Sequence, residues 1–323
     1  MSDCVAILIA YFRLVLDSEE ELALKFGMFI YEPTPVEGFD LQVYRLKSER
    51  GIVGTPNPEM TTNIACFGDN NMAEQHPDWV AQSAHGPALR TNKYYNLRWD
   101  IVCNQEKQMI DYMLDIIEKT ADNTKGITVS SMHVADHGFC TCHRCKEAHA
   151  KSGLDLLEWR AQTVTDFIKS AKERVKNKPF YVGLLPDPVN CYERFGLDFD
   201  ALAEYATAFV VPHWSKTYAS PWYFETLSRS FKKLLKKPVY PGLYIRGPGD
   251  NPNELEGHTQ ILKTACRIAR TGVEGLIFLA ANATYMKDFQ KACVADVKLR
   301  EDLEGYGGKP VLGLVDKWES ILE

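Results

Sequence analysis

Short apolar runs alternate with amphipathic stretches along nearly the whole chain. The amphipathic stretches carry apolar residues at three- and four-residue spacing, which predicts helices over 104–120, 155–174, 197–205, 221–235 and 254–270. The apolar runs between them are short and rich in β-branched and aromatic residues. They predict strands over 5–11, 27–31, 63–67, 127–132, 180–185, 208–212, 239–245 and 275–280.

Eight strands that alternate with helices predict a single (β/α)8 TIM barrel over residues 1–323. A doubly wound sheet would want a glycine-rich turn after an early strand, and the sequence has no G-x-G-x-x-G or Walker motif. The least regular region, 32–98, is rich in Pro, Asn and Gly, so we expect long connections there around the third strand. In such barrels, the loops at the carboxyl ends of the strands usually build the functional site.

Composition and charge narrow the classes of partner. Of the 323 residues, 45% are apolar and 25% charged, which is typical of a soluble globular protein. A net charge of −6 and a pI near 5.8 argue against a nucleic-acid partner, because phosphate binding needs a basic surface. No apolar run reaches the roughly 20 residues that span a bilayer, so no membrane partner is expected. The N-terminal apolar run contains Arg13 and lacks a small-residue cleavage site, which indicates a buried strand and a cytoplasmic protein.

Three of the nine cysteines lie within six residues of one another. Cys140, Cys142 and Cys145 form a C-x-C-x2-C run among polar neighbours, which makes simple core packing unfavourable. Thiolates this close converge readily on one tetrahedral ion, and zinc prefers four sulfur or nitrogen ligands. The run therefore predicts a zinc site. Its spacing leaves the fourth ligand open among His137, His143 and a remote cysteine.

The cysteine run and its surroundings resemble a known enzyme family. Residues 138–148 and 153–159 are similar to the segment after the fourth strand of glycoside hydrolase family 42 β-galactosidases, and residues 66–80 resemble the third-strand region of related barrels. The resemblance implies that Cys103, in Val-Cys-Asn before the third helix, is the fourth zinc ligand. The site would then be a closed set of four cysteines with a structural role, because no coordination position stays open for chemistry.

The same resemblance directs attention to carboxylates at two strand ends. The family carries its acid/base glutamate after the fourth strand and its nucleophile at the end of the seventh, and this chain has no glutamate at either place. After the fourth strand it has Asp136 and His137, and we expect Asp136 to act as general acid/base, with His137 at the glutamate's place as the alternative. Asp250, downstream of the seventh strand, is the candidate second carboxylate.

Aromatic and polar residues near the predicted strand ends suit a sugar ligand, since aromatic faces stack on the C–H faces of pyranose rings. The candidate substrate-binding residues are Trp79, Asp187, His213, Trp214, Tyr244 and Arg246. Together with the carboxylates they predict a barrel that hydrolyses a glycoside or a related carbohydrate and carries a structural zinc ion. The oligomeric state is left open, with a homo-oligomer as one option.

Two other functions compete with this prediction. The missing strand-seven glutamate would suit a catalytically lapsed barrel that binds a carbohydrate or a partner. A metal-dependent hydrolase is the third option, because His133, His137 and His213 lie at predicted strand ends and could bind a metal with an open position. His133 and His137 are not on a predicted helix, so their four-residue spacing does not by itself bring them together.

Overall fold

Eight parallel strands close into a barrel, which confirms the predicted fold class. A computed structural model describes residues 24–95, 97–136, 138–213, 220–251, 257–306 and 308–323. Each strand of the barrel pairs with the one before and after it in the chain, and the last strand pairs with the first. The strands are β1 Lys25–Ile30, β2 Leu41–Lys47, β3 Thr61–Ala65, β4 Gly126–Ser130, β5 Phe180–Gly183, β6 Ala208–His213, β7 Val239–Arg246 and β8 Gly275–Ala280.

One strand differs from the sequence prediction. The run at 5–11, expected to be the first strand, lies outside the described residues. Leu41–Lys47, which we had expected to lie in a long connection, is the second barrel strand and pairs with β1 and β3. Its sequence hides this role, because Arg45 and Lys47 place charged side chains in its second half.

Helices surround the barrel, and the five that the sequence predicts have bounds close to those expected. They are α1 Asn70–Gln75, α2 Lys107–Ala121, α3 His143–Ser152, α4 Leu156–Val175, α5 Cys191–Phe195, α6 Phe199–Ala203, α7 Pro221–Leu234, α8 His258–Ala269, α9 Ala283–Ala295, α10 Val297–Gly305 and α11 Lys309–Leu322. Acidic caps fix several starts; Asp155, for example, accepts the backbone N–H groups of Leu157 and Glu158 at α4. Among the described helices, none combines the length and the apolar character needed to cross a membrane.

Alternate residues of each strand face opposite sides of the barrel wall, as the two-residue repeat of a strand requires. One buried cluster fills the barrel and includes Phe29, Val43, Val210 and Leu279. The neighbouring residues belong to the larger cluster that packs the strands against the helices. At a strand end, one side chain therefore faces the mouth of the barrel, and the side chain of the next residue faces the helix layer.

Candidate functional site

A cleft of about 460 Å³ opens at the carboxyl ends of the barrel strands. This is the end at which (β/α)8 barrels carry their sites. Three aromatic side chains at the cleft belong to Tyr31, Trp99 and Tyr244. The remaining described lining residues are Arg45, Glu49, Asn63, Arg98, Thr128, Ser130, Ser131, His133, Gly183, Leu184, Leu185, Pro186, Val210, Pro212 and Leu279.

A buried ion pair forms one wall of the cleft. Arg45 on β2 binds the carboxylate of Glu49, and only 8% of the Arg45 side chain and 7% of the Glu49 side chain are exposed. The guanidinium also lies over the rings of Phe29 and Tyr31, at 5.1 and 5.2 Å from their centroids. Ser131 donates its hydroxyl to the other Glu49 oxygen at 3.4 Å. Burial lowers the pKa of Arg45, but the Glu49 carboxylate outweighs burial, so the pKa of Arg45 is raised.

A second carboxylate, Asp250, is hydrogen-bonded to Tyr244, which lines the cleft. The Tyr244 hydroxyl donates to Asp250 Oδ2 at 2.5 Å, and the Gly247 backbone N–H donates to the same oxygen at 2.8 Å. Burial and this hydrogen bond raise the pKa of Tyr244. The pKa of Tyr31 is also raised, by burial first and then by the charges of Glu49 and Asp250 against the opposing effect of Arg45. Tyr31 therefore lies within electrostatic range of both carboxylates.

Asp136 and Asp187 meet at one arginine. Arg194 donates through Nε to Asp136 Oδ2 at 3.0 Å and through Nη1 to Asp187 Oδ2 at 2.6 Å. These carboxylates raise the pKa of Arg194. Burial favours the neutral form of Asp187, but hydrogen bonds from the Asn190 N–H and from Arg194 prevail and lower its pKa. Neither aspartate is among the described residues that line the cleft.

The histidines at the strand ends separate into two environments. His133 lines the cleft and donates Nδ1–H to the Val134 carbonyl at 2.8 Å, and burial lowers its pKa. His213 was expected to face the cleft, but Pro212 lines it instead. The His213 ring is completely buried, 3.4 Å from Ser228 Oγ on α7, and burial lowers its pKa to about 3.

The other candidate residues are spread over different surroundings. Trp79 is buried, with 7% of its surface exposed, and its ring stacks on the His76 ring with 3.7 Å between the centroids. The Arg246 guanidinium lies 3.8 Å from the centroid of the Tyr285 ring. Of the predicted substrate contacts, Tyr244 alone lines the cleft among the described residues. Trp214 and His137 lie outside the described residues.

The four cysteines Cys103, Cys140, Cys142 and Cys145 come together in one cluster, with all sulfur atoms within 4.8 Å of one another. Cys103 Sγ lies 3.6 Å from Cys142 Sγ and 3.4 Å from Cys145 Sγ. Four sulfur ligands at about 2.3 Å from a tetrahedral zinc ion would be about 3.8 Å apart, so the cluster needs little adjustment to hold a metal. A bound metal would hold these four side chains as thiolates.

Backbone groups and one arginine complete the surroundings of the cluster. The N–H groups of Gln82 and Gln105 donate to Cys140 Sγ at 3.2 Å and to Cys103 Sγ at 3.4 Å. Arg144 forms an ion pair with Glu106 at 3.2 Å. Burial lowers the pKa of Arg144, but the charge of Cys103 and other neighbours outweighs burial, so the pKa is raised. These donors would offset the negative charge of four thiolates. Within the described ranges, the four cysteines are the sole group of three or more metal-ligating side chains. His137, the third member of the predicted histidine site, lies outside those ranges.

Comparison with known proteins places the fold. The α-L-fucosidase isoenzyme 2 of Paenibacillus thiaminolyticus superposes with a TM-score of 0.58 and 10% identity, over 83% of this chain and 48% of that one. A class V chitinase from Pseudomonas fluorescens Pf-5 has a TM-score of 0.50 and 10% identity, over 84% and 99% of the two chains. Both similarities show a (β/α)8 barrel fold. The chain spans about half the length of the fucosidase that it matches.

The comparisons do not reach a sequence family. A β-galactosidase from Rahnella sp. R3 has a TM-score of 0.43 and 12% identity, over 80% of this chain and 46% of that one, which is too remote to carry an argument. No protein-family model and no curated sequence matches the chain. The resemblance to glycoside hydrolase family 42 therefore stays a prediction from the cysteine segment.

Several residues of the cleft could not be found from the sequence. Arg45 and Glu49 lie in a region for which the sequence predicts a long connection, and their pairing depends on the presence of β2 there. In the sequence, Asn63 and Thr128 look like ordinary strand residues, because no neighbouring residue indicates that they face the barrel interior. The i, i+4 spacing of Arg45 and Glu49 was the one available signal, but in a strand region that spacing has no special meaning.

Proposed function

We propose that this barrel binds a carbohydrate in its cleft and cleaves a glycosidic bond there. The observation that carries the proposal is the combination of Tyr31, Trp99 and Tyr244 with the Arg45–Glu49 pair in one cleft at the carboxyl ends of the strands. Aromatic rings offer stacking faces for a pyranose, while the ion pair offers a donor and an acceptor for its hydroxyls. A cleft of about 460 Å³ also has the size of a small-ligand site.

The carboxylates that we assign to catalysis are Glu49 and Asp250. A glycosidase of the usual kind needs two carboxyl groups on either side of the scissile bond. Hydrogen bonds from Tyr244 and Gly247 favour the ionised form of Asp250, which suits a base or a nucleophile. Asp136 is the weaker candidate, because Arg194 engages it, whereas Glu49 lines the cleft and Asp250 accepts a hydrogen bond from the lining residue Tyr244. His137 keeps its place as an alternative proposed from the sequence.

One observation favours the second candidate, a lapsed barrel that binds carbohydrate without cleaving it. Glycoside hydrolysis needs one carboxyl group that is protonated before the bond breaks. Glu49, Asp136 and Asp187 each form an ion pair with an arginine. For Asp187, burial is outweighed by hydrogen bonds from Asn190 and Arg194, which lower the pKa and favour the ionised carboxylate. A proton donor for the leaving group would then have to come from elsewhere in the cleft.

A panel of p-nitrophenyl glycosides with matched variants separates the two candidates. Hydrolysis by the native protein should fall about a hundredfold or more in Glu49→Gln and in Asp250→Asn, while Asp136→Asn keeps most of it. Loss of turnover in Asp136→Asn alone would contradict the assignment. If the native protein cleaves no member of the panel but is thermally stabilised by a sugar, the lapsed barrel is the function.

We also propose that the metal of the cysteine cluster is a structural zinc ion. Four thiolates form the closed ligand set that structural zinc sites use, and the site would join the connection before α2 to the connection before α3. Both connections contribute residues to the cleft, Arg98 and Trp99 on one side and His133 on the other. All described cysteines are free of disulfides, which supports a reducing compartment such as the cytoplasm.

A further inference from the structure

Thr128 is a buried hydroxyl residue at the bottom of the cleft. It lies on β4, faces the barrel interior and is 3% exposed, yet it contributes to the cleft surface. Its Oγ1 has no hydrogen-bond partner among the described residues. Arg45 also lines the cleft, and its Nε is buried without a partner within the described ranges.

Buried polar atoms in proteins are nearly always satisfied, so two unsatisfied atoms in one cleft call for an explanation. Another buried threonine of the adjacent strand follows the rule. Thr62 on β3 is fully buried and shares a hydrogen bond of 2.8 Å with Thr124, whose hydroxyl donates to the Met60 carbonyl at 2.6 Å. Of the buried side-chain atoms without a partner in the described ranges, Thr128 Oγ1 and Arg45 Nε are the two that belong to residues lining the cleft, and the others lie elsewhere in the protein.

The side chains beside Thr128 complete a polar surface. Asn63 on β3 pairs in register with Thr128, and its Nδ2 donates weakly, at 3.4 Å, to the Thr128 carbonyl and to Ser130 Oγ. We call Arg45, Asn63, Thr128 and Ser130 the cleft floor. It offers amide, guanidinium and hydroxyl groups in a buried setting where hydrogen bonds to a ligand are strong.

We propose that the cleft floor recognises the hydroxyl edge of a neutral sugar, with Thr128 Oγ1 and Arg45 Nε forming hydrogen bonds that they lack in the free protein. The inference rests on the proposed function and specifies its substrate class. One hydroxyl of the sugar accepts from Arg45 Nε, and a second exchanges a hydrogen bond with Thr128. The bound sugar would thereby satisfy both buried atoms at once.

The charge of the floor selects against an acidic sugar. Arg45 is already neutralised by Glu49, so the carboxylate of a uronic acid would find no uncompensated positive charge there and would meet the Glu49 carboxylate. Arg98 also lines the cleft, but it is an exposed residue and its charge is screened by solvent. A neutral hexose or deoxyhexose avoids this repulsion.

Thr128→Val tests the floor without any ligand. Valine keeps the shape of threonine and removes a hydroxyl that costs stability when it is buried alone, so the Tm of the free variant should rise by about 2 °C. Thr62→Val is the matched control: it breaks a satisfied buried hydrogen bond and should lower the Tm. An unchanged or lower Tm in Thr128→Val would mean that the hydroxyl is satisfied in the free protein, and would overturn the proposal.

Calorimetric titration with methyl glycosides of galactose, glucose and fucose, and with the matching galacturonic and glucuronic acids, tests recognition. We expect a neutral glycoside to bind the native protein, to bind Thr128→Val about tenfold more weakly and to bind Thr62→Val unchanged. Equal affinity for Thr128→Val, or preference for a uronate, would refute the inference while leaving the carbohydrate function intact. Failure of every sugar to bind would refute the carbohydrate function itself, and a ligand of another class would then explain a stabilised Thr128→Val.

Discussion

Cys103 Sγ lies 3.4 Å from Cys145 Sγ, although 42 positions separate the two residues in the chain. This contact joins the start of the segment that leads into α2 to the first turn of α3. Both segments follow barrel strands and both extend to the cleft. A metal ion bound there would therefore hold the two walls of the cleft in fixed relative positions.

The metal content of the protein should depend on the four cysteines of the cluster and on no other cysteine. Elemental analysis of the purified protein is expected to give one zinc per chain. Cys145→Ser should lose the metal and lower the Tm by about 10 °C, because the binding energy of a structural zinc ion contributes directly to folding. Cys266→Ala, which removes a buried thiol outside the cluster, should keep the metal. Full zinc content in Cys145→Ser would contradict the assignment.

Acid stability should report the Arg194 ion pairs. The folded-state pKa of Asp187 lies below its usual value of 3.8, so its contribution is present above about pH 4 and is lost as the pH falls through the lower, folded value. Arg194 is 43% exposed, which limits the effect to about 1 kcal/mol. Asp187→Asn should therefore be less stable than the native protein at pH 6, with a difference that narrows towards pH 3, whereas Asp200→Asn, in an exposed pair with Lys236, should match the native curve.

His213 should also make the protein less stable in acid, over a higher pH range than Asp187 does. Its folded pKa of about 3 lies below the unfolded value of about 6.5, so the unfolded chain binds a proton that the folded chain excludes. Stability is then fully present above about pH 6.5 and falls by up to about 1.4 kcal/mol per pH unit below it. Urea titrations from pH 7 to pH 4 should show a weaker pH dependence in His213→Gln than in the exposed-site control His85→Gln. Equal slopes would mean that His213 titrates in the folded protein.

Trp99 should contribute stacking to ligand binding. It is 38% exposed and lines the cleft, so its ring is accessible to a sugar. Trp99→Ala should weaken binding of the preferred glycoside about tenfold, measured by calorimetry. Trp222, on α7 and 62% exposed, is the matched control, and Trp222→Ala should bind as the native protein does. A loss in Trp222→Ala instead would place the sugar on another face.

The sequence predicted the barrel because most strands are apolar and most helices amphipathic. It missed β2 because Arg45 and Lys47 are buried there as charged residues, and their partners follow the strand: Arg45 pairs with Glu49, and Lys47 Nζ lies 2.8 Å from Asp69 Oδ2. A single sequence cannot show such pairing. With β2 hidden, Glu49 was also hidden as a residue of the cleft.

The candidate site was likewise only partly predictable from the sequence. The cysteine cluster was accessible because three ligands are close in sequence and the family resemblance indicated Cys103. His213 was misplaced because its strand was predicted to end at Pro212, and a shift of one position exchanges the cleft for the helix layer. Asp136 follows β4 in the chain, and its partner Arg194 lies 58 positions away on α5. Long-range pairing of charges decides which carboxylates remain for a ligand.

The most direct test of the carbohydrate cleft is a crystal structure of the protein soaked with the methyl glycoside that binds best. We expect one sugar ring between Tyr31, Trp99 and Tyr244, with hydroxyls within hydrogen-bond distance of Thr128 Oγ1 and Arg45 Nε. A sugar bound elsewhere on the barrel, or one in the cleft that makes no contact with these residues, would contradict it.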